Sequence, residues 1–398
     1  MKPPLPLKEA QARLLESVHA LPAEDVPVEA ALGRCLAAPL IARRTQPAAD
    51  LSAMDGYALR EGEAGPWRVV GESAAGHPFP GTIAPGEAIR ISTGALMPAG
   101  ADAVLLQENA ARDGDRLSLN GEGEPRARHI RRAGFDFRGG DELLPAGTRI
   151  GPAQVALALS SGNGALGVHR RPRLAIIDSG DELAADPAKC APHQIPASNG
   201  AMLAAMTQGL AAEIRRIGPV ADDLGALAAA FDRAGDAELI VTSGGASVGD
   251  HDLIRPALEA WGAQIDFWRV AMKPGKPLLV ARKGSTTVLG LPGNPVSSFV
   301  TAYFFLLPML RALSGDRRPQ PAPIPLRLAG EMPAGGARLE FVRALLVDGE
   351  AVPVSEKDSS ALRAMATAEL LLERPANAPP ATQGSVVPAY WIGNGGVA

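Results

Sequence analysis

LIVTSGGASVGD, residues 239–250, is the stretch whose reading decides the fold. Leu239, Ile240 and Val241 are an apolar run bounded by turn residues, the pattern of a buried strand. Three glycines and two serines follow, and a helix is expected at 253–261 with Asp252 at its start. Backbone N–H groups in such a turn, together with the positive end of a helix, form an anion site. A tight turn capped by Asp252 is the other reading of the same residues.

The pattern repeats on both sides. Leu174-Ala175-Ile176-Ile177 leads into Asp178-Ser179-Gly180-Asp181-Glu182, and a strand at 287–291 leads into Gly290-Leu291-Pro292-Gly293-Asn294-Pro295. Helices at 200–210 and 224–234, and strands at 213–217, 265–270 and 277–281, fill the intervals. A long helix closes the unit at 295–313. This alternation defines a doubly wound α/β domain at 171–316. A parallel sheet gathers its strand ends along one edge, so the three glycine loops are expected to share one crevice.

Further out the periodicity changes. Short runs at 67–70, 88–91, 103–106 and 117–119, broken by Gly, Pro and Asp, make 46–140 a β-rich domain. Residues 1–45 and 141–170 form a discontinuous linker domain, with helices at 6–20 and 152–160. A proline-rich stretch at 317–325 opens a C-terminal β domain, 317–398, of barrel or sandwich type. The expected class is therefore α/β plus β, multidomain.

Composition narrows the function. Hydrophobic residues make up 46% of the 398 residues and aromatics 4%, so the cores are aliphatic. A net charge of −4 argues against a nucleic-acid or anionic-membrane binder. Cys35 and Cys190 have neither metal-ligand spacing nor the look of a disulfide framework, which fits a reducing cytoplasm. The apolar stretch at 300–313 is expected to be too short to span a bilayer and contains Pro308 and Arg311. The N-terminus lacks the apolar region of a signal peptide.

Several residues suggest chemistry. Asp181, Glu182, Asp222, Asp223, Asp250 and Asp252 could converge on the crevice, and clustered carboxylates beside phosphate suit Mg²⁺. Taken singly, each reads better as a cap or a solvated loop charge than as a metal ligand. His251 has no second histidine nearby, so zinc is not indicated. Lys273-Pro274-Gly275-Lys276-Pro277 holds two ammonium groups on a constrained turn, as phosphate chemistry requires, and reads equally well as a surface turn. The basic run at 126–132 reads as a solvated or inter-subunit patch. Gly162-Asn163-Gly164-Ala165-Leu166-Gly167 matches G-x-G-x-x-G but follows a helix, so it is a helix-ending turn rather than a dinucleotide site.

In order along the chain, SAMDGYA (52–58), IRISTGALMPAGADAV (89–104), RRAGFDF (131–137), SGDEL (179–183), TSGGASVGDHD (242–252), MKPGKP (272–277) and GLPGNPVS (290–297) resemble the MoeA family of molybdopterin molybdenumtransferases and the homologous E domain of gephyrin. The resemblance implies a homodimer with its active site between subunits. It implies Mg²⁺, with molybdate and adenylylated molybdopterin as substrates, AMP release, and other molybdenum cofactor biosynthesis proteins as further partners. Asp55, Glu182, Asp252, Lys273 and Lys276 are the implied catalytic residues, and Glu182, Asp222 and Asp252 the implied metal ligands. Thr93, Arg131, Asp136, Pro292, Pro295 and Ser360 are carried over as substrate contacts. Ser243, Gly244, Gly245, Ser247, Gly249, Gly293 and Asn294 join them from the glycine loops. Asp55 and Thr93 would come from the partner subunit. A non-catalytic pterin-binding or scaffold protein of the gephyrin type is the alternative.

Three departures stand out. Arg269 replaces a common lysine, Phe135 an acid, and Ala197-Ser198-Asn199-Gly200 a D-[ST]-N-R segment.

Overall fold

A computed structural model describes residues 4–121, 123–244 and 253–393. At its centre lie β1 (Arg173–Ser179), β2 (Glu213–Val220), β3 (Leu239–Ser243), β4 (Gln264–Arg269), β5 (Pro277–Lys283) and β6 (Thr286–Leu291). They form one sheet in the order β2-β1-β3-β6-β5-β4. β2, β1, β3 and β6 are parallel, whereas β5 and β4 are antiparallel additions. The sheet is thus mixed. Only Gly284 and Ser285 separate β5 from β6, and Gly284 has φ 58°. A loop that short makes a hairpin and cannot make a parallel crossover.

Side chains alternate across β1. Leu174 and Ile176 face a core shared with helix Asn199–Thr207 and the helix starting at Pro295. Ala175 and Ile177 face the opposite core, built on helices Leu224–Ala234 and Ile254–Ala260. Both faces are covered, which is why β1 and β3 read as unbroken apolar runs.

The helix from Pro295 continues through a π-helical stretch, Ala302–Leu306, to Leu313. By length and composition this 19-residue helix could cross a membrane, longer than the sequence suggests, yet 89% of its apolar window is buried inside the protein. Pro308 lacks an N–H, so the carbonyl of Phe304, four residues earlier, loses its helical donor. Gln11 Nε2 supplies the missing hydrogen bond at 2.9 Å. The N-terminal helix, Leu7–Glu16, which carries Gln11, therefore packs on the α/β unit.

The linker segments pair with each other: Ala23–Pro27 with Ala165–His169, and Leu40–Ile41 with Glu142–Leu144. Between them the β-rich unit forms a six-stranded sheet whose strands include Gly56–Leu59, Glu87–Ile91 and Ala103–Leu106. Period-2 alternation sends Tyr57, Leu59 and Leu105 to one core and Ala58, Ile89 and Val104 to the other.

The C-terminal sheet is less separate than the proline-rich boundary suggests. Its edge partner is a two-residue strand, Met272–Lys273, which belongs by sequence to the α/β unit. Met272 pairs with Leu339 and Lys273 with Glu340.

Candidate active site

The parallel strands end in register. Asp178 on β1 pairs with Ser243 on β3, which pairs with Leu291 on β6, while Ser179 pairs with Val220 on β2. Four loops therefore open onto one edge. They form the floor of a cavity of about 1410 Å³, roofed by the C-terminal domain.

Two glycines permit the close approach of these loops. Gly180 has φ 147° and its N–H donates to Val220 O at 3.1 Å. Gly244 has φ 106° and its N–H donates to Leu291 O at 3.2 Å. Both φ values suit glycine far better than any residue with a side chain.

Glu182 and Asp222 line the cavity, with Asp181 beside them. The backbone N–H of Asp222 donates to Asp181 Oδ1 at 3.1 Å. Partial burial, then the charges of Asp181 and Glu182, push the Asp222 carboxyl above the ordinary aspartate range. Like charges gathered in this way favour a hard cation. No set of three acid, His or Cys side chains closes on a metal position among the described residues. Asp250 and Asp252 lie outside the described residues, as do Gly245, Ser247 and Gly249.

Lys273 and Lys276 also line the cavity. Gly275, at φ 100°, makes the turn between them. Lys273 Nζ meets Glu340 Oε1 of the C-terminal domain at 3.0 Å.

The third loop is fixed by its own residues. Asn199 Nδ2 donates to Gly293 O at 2.7 Å, and Asn294 Nδ2 donates to Ser359 Oγ at 3.0 Å. Pro295 takes the first position of the helix, where a missing N–H costs nothing. The next N–H, of Val296, donates to Ser359 O at 3.1 Å.

Ser360 also lines the cavity, and its hydroxyl donates to Asp358 Oδ1 at 2.6 Å. Its loop is organised by Arg343, a buried cation that sequence reasoning missed. Arg343 donates to Ala361 O at 3.0 Å, Glu356 O at 2.6 Å and Asp358 O at 3.1 Å. Arg338 and Arg374 were missed as well. One signal was available: Phe341 and Arg343, two apart in strand Leu339–Val347, are both buried, placing an arginine on an inward face.

Within one chain, Asp55, Thr93, Arg131 and Asp136 are not among the residues lining the cavity. They belong to a local assembly on the β-rich domain. Asp55 Oδ1 accepts the Thr93 N–H at 2.6 Å, and this bond leads the causes that hold its carboxyl below the ordinary range. Arg131 sits in a strand paired with Leu51–Ser52, and the Asp136 N–H donates to Gln46 O at 3.0 Å. Arg132, from the basic run, is paired with Asp50 at 2.6 Å. Met54, Leu96 and Phe135 are exposed on the same three segments, Phe135 at 75%. Of the departures, Arg269 pairs with Pro277 along the sheet and does not line the cavity. Ala197, Ser198 and Asn199 do line it.

Three family profiles match the chain: the MoeA N-terminal region (domain I and II) at residues 5–162, a probable molybdopterin binding domain at 175–312, and the MoeA C-terminal region (domain IV) at 325–392. A molybdopterin molybdenumtransferase of Nostoc is 36% identical, over 82% of this chain and 78% of its own. Molybdopterin molybdenumtransferase 2 of Mycobacterium tuberculosis is 33% identical, over 93% and 95%. The crystal structure of a molybdopterin biosynthesis MoeA protein from Pyrococcus horikoshii superposes with a TM-score of 0.84 at 25% identity, covering 98% of this chain and 100% of that one.

Proposed function

Because the chain belongs to the MoeA family, a membership its similarity to molybdopterin molybdenumtransferases carries, we propose a division of labour among its residues for the family reaction. The protein is a transferase of molybdenum cofactor biosynthesis, inserting molybdate into adenylylated molybdopterin with release of AMP. The observation that carries the proposal is the convergence of the glycine loops after β1 and β6, Ser243 and Gly244 at the end of β3, two lysines and an acidic pair on one cavity.

Molybdate and the adenylyl phosphates are anions brought together against their own repulsion. Lys273 and Lys276 offset that charge where it accumulates. The N–H groups of the loops after β1, β3 and β6 hold phosphate oxygens. Glu182 and Asp222 would hold Mg²⁺, whose preference for one or two carboxylates, waters and substrate phosphates matches this donor set. When bound, the cation supplies charge neutralisation at the phosphate being displaced. Ser360 and Asn294 orient substrate from the roof and the third loop. Asp252, the remaining acid that the family resemblance implies, would position the attacking oxygen.

Asp55 and Thr93 act in the cavity of a second subunit, with Arg131 and Asp136 on the same face. Exposed Met54, Leu96 and Phe135 beside them support a homodimer formed through this surface. A cytoplasmic location fits the reading.

Incubation with adenylylated molybdopterin, molybdate and Mg²⁺ tests it. AMP and active cofactor should both appear, and Asp252→Asn should stop AMP release while substrate still binds. AMP release no faster than in the protein's absence would remove the transferase reading.

A further inference from the structure

Every lysine or arginine named on the cavity wall suits an anion, yet one carboxylate sits on the floor apart from the acidic pair. Asp178, near the end of β1, is 4% exposed and lines the cavity. Its Oδ1 has no hydrogen-bond partner among the described residues. Its other oxygen lies at the backbone N–H of Gly200. A buried carboxylate oxygen without a donor bears its full desolvation cost, and such groups are rare unless a ligand satisfies them.

Gly200 explains why no local cation does so. A Cβ at that position would stand 2.0 Å from Asp178 Oδ2, so no side chain fits while Asp178 keeps its place. The arginine that the family resemblance leads one to expect at 200 is absent, and the carboxylate is left unpaired toward the cavity. Arg216 acts on it only through its field.

We propose that Asp178 is the specificity-determining residue for the substrate's heterocycle, accepting the paired N–H donors of a 2-amino-4-oxopyrimidine edge. That edge is planar and guanidine-like, so it meets a carboxylate through two parallel hydrogen bonds, as an arginine would. A pterin carries it; adenine does not. The inference rests on the transferase reading above, which brings a pterin and an adenylyl group into the same cavity. Burial raises the pKa of Asp178, and two donated N–H bonds favour its ionised form. Charge is then sorted along the cavity: lysines and helix ends take the oxyanions, Asp178 the ring donors.

The test uses the full chain and three probes in binding titrations: pterin, lumazine (the 2,4-dioxo analogue without the amino donor) and AMP. The wild type should bind pterin at least about 10-fold more tightly than lumazine. Asp178→Asn, nearly the same shape, should bring that ratio to within about twofold and leave AMP affinity unchanged. Equal wild-type affinity for the two heterocycles overturns the proposal without any variant. A parallel loss of AMP binding in Asp178→Asn overturns it too, because the residue would then read the adenine amino group. A wild type that releases AMP from its substrate but does not discriminate removes this inference alone. One that discriminates but releases no AMP removes the transferase reading instead.

Discussion

Glu238 offers a perturbation whose size can be worked from the structure. It precedes β3, is 8% exposed, and stands at the end of the strand opposite Ser243 and the cavity. Its Oε1 accepts from Arg170 Nη2 at 2.7 Å and Arg173 Nη2 at 2.9 Å, and its Oε2 accepts the Arg173 backbone N–H at 2.7 Å. Burial alone would raise its pKa, but these donors outweigh burial and bring it from 4.5 down to about 2. At about 1.4 kcal/mol per pKa unit, that shift corresponds to about 3 kcal/mol of stability. Arg170 and Arg173 are 35% and 40% exposed, so solvent screening brings the expected loss in Glu238→Gln to about 2 kcal/mol. A depressed carboxyl stabilises the fold above its unfolded pKa and loses that effect as pH falls. The deficit of Glu238→Gln should therefore be complete at pH 7, shrink below about pH 4.5 and be nearly gone near pH 2. Urea unfolding across that range measures it. AMP release per folded molecule should be unchanged, because the residue is a strand length from the cavity. A deficit that is flat with pH would refute the ion-pair account, and lost activity at full folding would refute the assigned separation.

Gly275→Ala places a Cβ 2.4 Å from Thr301 Oγ1 at a φ of 100°; it should cost about 1–3 kcal/mol and lower AMP release by displacing both lysines, so a variant with unchanged melting and rate contradicts this. Gln11→Leu leaves the Phe304 carbonyl buried without a donor and should cost about 1–3 kcal/mol in urea unfolding. Because the Asp222 pKa is raised by burial and by Asp181 and Glu182, Mg²⁺-dependent AMP release should fall on acidification at a higher pH than an ordinary carboxylate gives. Asp222→Asn should lose that acid limb, and a pH profile the same in both proteins denies Asp222 the role. Mixing inactive Asp55→Ala and Lys276→Ala proteins should restore roughly a quarter of wild-type activity, since half the dimers would be mixed and each would hold one intact site; no recovery after verified subunit exchange counts against a shared site.

The chain's local chemistry determined most of the α/β unit. Apolar runs ending in glycine fixed β1, β3 and β6, and because parallel strands end at one edge, the meeting of their loops followed from topology. The Lys273–Lys276 turn and the acids after β1 and β2 were legible for the same reason. The hairpin at Gly284-Ser285 was equally local, but the alternating pattern around it masked it. Other features belong to the tertiary structure alone. That Met272–Lys273 is stitched to Leu339–Glu340, that Arg343 is held by three carbonyls beside Ser360, and that Gly200 leaves Asp178 Oδ1 without a partner depend on residues 13 to 67 positions apart. No short-range periodicity encodes which distant surfaces pack together. Only the packed core, where Gln11 reaches the carbonyl freed by Pro308, decides that.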